Sequence, residues 1–73
     1  MYGKAVITLK DGTTKTFAAN DENAIAEFLY ENAGNRVEKS NGIPTYIEAS
    51  SWCPLASIGE TFDSSDFVIE IAE

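Results

Sequence analysis

Apolar positions recur along this chain with two different periods, and each change of period marks an element. From Tyr2 to Ala19 they alternate, with Ala5, Ile7 and Leu9 on one side of an extended run and Lys4, Val6 and Thr8 on the other. Lys10-Asp11-Gly12 interrupts the alternation as a turn. A two-residue Asp-Gly loop would pair Leu9 with Thr14 and send Phe17 to the face opposite Ile7. A three-residue loop, with Gly12 in the left-handed bulge position, pairs Leu9 with Thr13 and Ala5 with Phe17, so that Ala5, Ile7, Leu9 and Phe17 share a face. Burial of one face sets register, so the three-residue loop is predicted.

From Asn20 to Gly34 the period lengthens. Ile25, Phe28, Leu29 and Ala33 stand at i, i+3, i+4 and i+8, one stripe of a helix, with Asp21, Glu22, Asn23, Glu27, Glu31 and Asn32 on the other faces. Asn20 or Asp21 suits the cap, acids in the first turn suit the positive end of the helix dipole, and Gly34 suits a left-handed stop. Burying Ile25, Phe28 and Leu29 is worth roughly 1.5–3 kcal/mol each, more than a lone short helix can supply for itself. The sheet and the rest of the chain must therefore cover this face.

The second half is less regular. Asn35 to Ser40 reads as a connection and Asn41-Gly42 as a turn. Ile43 to Ala49 reads as an extended run, Ile43 and Ile47 on one side and Tyr46 on the other, which Pro44 confines to an edge strand or an ordered loop. Ser51 to Gly59 reads as a short helix capped by Ser51 and stopped by Gly59, with Pro54 in its first turn. Trp52, Leu55 and Ile58 then form an i, i+3, i+6 stripe that packs on the sheet. Asp63-Ser64-Ser65-Asp66 is a polar turn, and Phe67 to Ala72 is a strand with Phe67, Ile69 and Ile71 alternating against Val68, Glu70 and Ala72. Paired with the N-terminal hairpin, it gives one α+β domain over residues 1–73: a small antiparallel sheet with one main helix and a second short helix on one face.

Composition narrows the possible chemistry. The 73 residues are near the lower limit for a single core without staples, and 44% hydrophobic content makes the chain globular. The lone Cys53 forms no internal disulfide and supports no Cys-based zinc site. Histidine is absent, which removes the usual general base, the commonest metal ligand and any Ser-His or Cys-His pair. Trp52-Cys53-Pro54 has the start of a thioredoxin-type motif, but Ala56 stands where the second cysteine belongs. At a helix N-terminus Cys53 would have a lowered pKa; in a packed core it would be inert, and the inert reading is preferred. No apolar run approaches a membrane span and no glycine cluster has phosphate-loop spacing, so a cytoplasmic protein without cofactor or metal is expected.

The net charge is −7 and unevenly spread. Residues 1–39 hold all five bases against six acids; residues 40–73 hold six acids and no base. That balance disfavours direct binding to nucleic acid or to an anionic membrane. The pairs Glu27/Glu31, Asp63/Asp66 and Glu70/Glu73 read first as solvated faces, since none sits by a recognisable pocket or in a calcium-loop series. Tyr2, Tyr30, Tyr46 and Trp52 belong to the residue types that anchor interfaces, although core edges use them too.

Only in profile is the chain similar to the small, acidic, single-domain inhibitors of phages and mobile elements, anti-CRISPR and DNA-mimic proteins among them. The logic of such proteins is carboxylates displayed on a small fold in place of phosphates. The expectation is a non-enzymatic module that docks on a basic protein surface, that of a nucleic-acid-binding protein for example, through Glu60, Asp63, Asp66 and Glu70. The alternative is a small structural or homodimeric subunit with apolar contacts. Salt separates the two, since acidic engagement weakens as ionic strength rises.

Overall fold

The first hairpin adopts the register that buries one side of Phe17. In the computed structural model, which describes residues 2–34, 39–40 and 42–73, β1 (Lys4–Leu9) pairs antiparallel with β2 (Thr14–Ala18), and Ala5 stands opposite Phe17. Leu9 N–H donates to Thr13 O at 2.8 Å, and Gly12, at φ 94°, occupies the left-handed position that a three-residue loop requires. Asp11 Oδ1 accepts the Thr13 N–H at 2.9 Å and pins the turn from within.

The helix follows at α1 (Glu22–Leu29), and Asp21 is its cap, accepting the Ala24 N–H. Ile25 and Leu29 are fully buried, while Phe28 is half-buried against Phe17, their ring centroids 5.5 Å apart. Gly34, expected as the stop, instead closes a π-helical turn over Tyr30–Gly34 that continues from α1. Within that turn Asn32 Nδ2 donates to Phe28 O at 2.8 Å, so a side chain satisfies a carbonyl near the end of the regular ladder.

The largest departures from the sequence reading fall between residues 43 and 59. Ile43 to Ala49 is not an extended run: only Ile43–Pro44 (β4) is extended, paired with Lys39–Ser40 (β3), and Thr45–Trp52 is a helix, α2. Pro44 precedes it as the N-cap residue at φ −57°, a position that wastes no backbone donor. Ser51, expected to cap a helix, lies in the last turn of α2, and Cys53–Leu55 adds one 3-10 turn. Of the Trp52, Leu55, Ile58 stripe only Trp52 packs on the sheet, at Phe62; Leu55 is 85% exposed and Ile58 is also exposed, and the buried residues here are Ala49, Ser50, Cys53 and Ala56. These small side chains let α2 approach α1 and the sheet closely, which a row of large ones would prevent. The one buried polar side chain among them, Ser50, donates through Oγ to Ile47 O at 2.9 Å.

After Gly59 the chain forms a strand that the sequence does not announce, β5 (Thr61–Asp63), and then β6 (Phe67–Ala72). β6 lies between β1 and β5 in a four-stranded antiparallel sheet of order β2-β1-β6-β5. Phe67, Ile69 and Ile71 are buried as the alternation predicts, beside Ala5 and Ile7, and both helices cover this side of the sheet. Of the connection expected from Asn35 to Ser40 and the turn expected at Asn41-Gly42, residues 35–38 and 41 lie outside the described residues, and Lys39–Ser40 is the strand β3 instead of a connection.

Candidate functional site

The pleat that buries Ala5, Ile7, Phe67, Ile69 and Ile71 turns their neighbours to the other side of the sheet, which no described element covers. One row across that side reads Thr16, Val6, Glu70, Thr61; the next reads Thr14, Thr8, Val68, Asp63. The result is an open floor of threonine and valine with two carboxylates at the β5–β6 side. Glu70 and Asp63 stand on adjacent strands, offset by one row along the same face, and both are exposed. On such a diagonal, side chains come within roughly 7–8 Å.

The other two candidate acids lie apart from this pair. Asp66 belongs to the turn between β5 and β6, and its carbonyl accepts the Lys10 N–H at 3.2 Å. Together the two turns border an open hollow of about 370 Å³, to which Lys10, Ser64, Ser65 and Asp66 contribute polar groups. Glu60 is at the far end: its carbonyl accepts from Ile71 N–H, five residues along β6 from Asp66, about 17 Å at strand spacing. The Glu60 carboxylate is also occupied, since Oε1 accepts the Ser57 N–H at 2.7 Å and closes the turn before β5. Of the four acids, the structure brings Asp63 and Glu70 onto one face and places Asp66 and Glu60 at opposite ends.

The charge imbalance along the chain is softened in space. Lys4 faces the same side as Glu70, one row away on the neighbouring strand, and the Lys10 backbone abuts the Asp66 turn. The acidic face thus has a basic corner that the sequence order hides, because strands 60 residues apart in the chain are neighbours in the sheet.

Cys53 offers little nucleophilic chemistry. It sits at the C-terminal end of α2, where the helix dipole opposes a thiolate, and is wholly buried. Burial first, and then the charge of Glu22, push its pKa from 9.0 up to about 11. Among the described residues no group of three or more acids or cysteines is placed to hold a metal ion, and no helix is long and apolar enough to cross a membrane.

Aromatic side chains mark the borders of the helix layer. Tyr30 is exposed and Tyr46 half-buried, their rings 5.4 Å apart, with exposed Ile43 and Ile47 on the same end of α2. Trp52 packs on Phe62 at 5.5 Å, and Phe62 stacks on Phe67 at 6.2 Å, so Trp52 closes the core over β5. The chain matches no known protein family, no curated protein and no solved structure.

Proposed function

We propose that this protein is a non-enzymatic binding module of the small acidic inhibitor type, acting in the cytoplasm, whose open sheet face docks on a basic protein surface. The observation that carries the reading is the pairing of Asp63 and Glu70 on the uncovered side of β5 and β6, above a floor of small side chains. An open sheet face with displayed carboxylates can approach a groove that holds phosphates, and the net charge of −7 would speed the encounter. Glu60 and Asp66 extend the acidic border to the two ends of the same strands, the Glu60 carboxylate being held by its own turn. The lack of histidine and the buried, protonated thiol support a binding role over an enzymatic one.

The test is a double reversal, Asp63→Lys with Glu70→Lys, assayed by pull-down and binding kinetics against host proteins at low and high salt. Association should slow most at low salt. The matched reversal of Glu27 and Glu31, on and just beyond α1, is the control. Equal losses at both sites would reduce the effect to overall charge, and no loss at either would sink the acidic-face reading.

A further inference from the structure

The sheet has two edges, and β5 is the better defended. β5 is three residues long and bracketed by the acids Glu60 and Asp63, a short charged edge of the kind that resists further pairing. β2 runs for five residues, Thr14-Lys15-Thr16-Phe17-Ala18, without proline, glycine or an acid; Lys15 is its one charge and lies over the Phe17 ring, and no described residue pairs with the strand's outer side. The ladder fixes which of its backbone groups are available. Ala19 N–H donates to Gly3 O and Leu9 N–H donates to Thr13 O, and bonded pairs alternate along an antiparallel ladder. Lys15 and Phe17 therefore direct their N–H and C=O groups at β1, and Thr14, Thr16 and Ala18 direct theirs outward.

We propose that β2 pairs with β2 of a second copy of this chain, antiparallel about a two-fold axis through Thr16, joining the two four-stranded sheets into one. This register bonds Thr16 to Thr16 and Thr14 to Ala18 of the other copy, using every outward backbone group of the strand. It sets Lys15 of each copy opposite Phe17 of the other. Lys15 Nζ already lies 5.9 Å from the centroid of its own Phe17 ring, on the helix side of the sheet, so the pairing repeats an attraction the strand makes by itself.

The neighbouring two-fold registers are worse. An axis through Lys15 puts two lysines face to face, and an axis through Phe17 moves Thr14 opposite Asn20, beyond the strand. Self-complementarity of this kind is what a two-fold interface demands. It also covers an exposed seam, since Phe17 and Phe28 are both only half-buried along this edge. The two-fold axis stands perpendicular to the sheet, so both α1 helices stay on one side and the acid-bearing faces of the two copies join on the other.

Two copies of net charge −7 repel at long range, so this contact tightens with salt, opposite in sense to docking on a basic surface. The experiment is analytical ultracentrifugation of the wild-type chain, Thr16→Lys, Thr16→Glu and an equimolar mixture of the two variants. Thr16 is exposed on the open face, opposite Val6, so both variants keep the fold, which a circular dichroism melt checks. Wild type should dimerise more tightly at about 0.5 M salt than at low salt. Each variant alone should dissociate about tenfold more readily, because like charges meet at the axis, and mixing should restore the dimer. A wild-type chain that remains a monomer at about 0.1 mM would overturn the proposal. So would a dimer that ignores both substitutions, or variants that weaken alone and fail to recover when mixed.

Discussion

Ser51 Oγ donates a 2.9 Å hydrogen bond to Glu22 Oε2, tying the last turn of α2 to the first turn of α1. Both residues are exposed, so the bond competes with water and belongs at the weak end of charge-assisted pairs. Ser51→Ala should cost about 0.5–1.5 kcal/mol in urea denaturation. In a Glu22→Ala background the same substitution should cost close to nothing; an undiminished loss there would show that Ser51 acts through something other than this bond.

Glu22 also reaches Cys53. A thiol whose pKa is about 11 in the folded protein and near 9 when unfolded stays protonated in the native state while the unfolded chain ionises. Its contribution is complete below pH 9 and is lost as pH rises toward 11, about 3 kcal/mol in all. Stability of the wild type should therefore fall between these values more steeply than that of Cys53→Ala. Native Cys53 should also react slowly with a thiol reagent near neutral pH, and rapid modification would contradict the buried placement.

Core substitutions should rank by burial and not by side-chain size. Leu29 is fully buried, so Leu29→Ala should cost about 3–5 kcal/mol and leave a chain of this size largely unfolded. Phe28 has the larger side chain but keeps one side toward solvent at the β2 edge, and Phe28→Ala should cost only about 2 kcal/mol. The reverse order in thermal melts would place Phe28 at the centre of the core.

Gly3 carries a constraint visible only in the sheet. It sits at φ 68°, and a Cβ there would run into Ala72 O across the β1–β6 ladder. Gly3→Ala should thus cost about 2–3 kcal/mol, beyond the usual penalty for a left-handed alanine. Gly12, also at positive φ but with open space around it, is the comparison: Gly12→Ala should cost about 1 kcal/mol.

Elements whose apolar residues are large and regularly spaced were legible in the sequence. Phe67, Ile69 and Ile71 define β6, Ile25 and Leu29 define the buried stripe of α1, and Phe17 selects the hairpin register because only one loop length buries it. From 43 to 59 the same logic misleads. The buried stripe of α2 is built from Ala49, Ser50 and Cys53, whose small side chains give little hydropathic signal, while Trp52, Leu55 and Ile58 supply a strong pattern that the structure turns to the border and to solvent. Close approach between layers is a packing requirement, and a periodicity argument does not see it. β5 has only Phe62 as an apolar residue and is held by pairing with β6. Of the candidate acids, alternation alone placed Glu70 on the outer face; the partnership with Asp63 and the nearness of Lys4 depend on strand order.

The central pairing of the sheet, β1 with β6, joins the first strand to the last. A ribosome delivers β1 early, and the nascent chain must hold that strand's second edge open until residue 72 has cleared the exit tunnel. The hairpin and α1 can form as local structure in the meantime, but the core they line lacks Phe67, Ile69 and Ile71 until the end. Folding of this domain therefore waits for β6, is limited by closure of the long loop between β1 and β6, and is slower than that of a helical domain of equal length. A chain stalled before β6 presents β1 as a bare apolar template, so truncated products should be cleared or aggregate without accumulating as partly active forms.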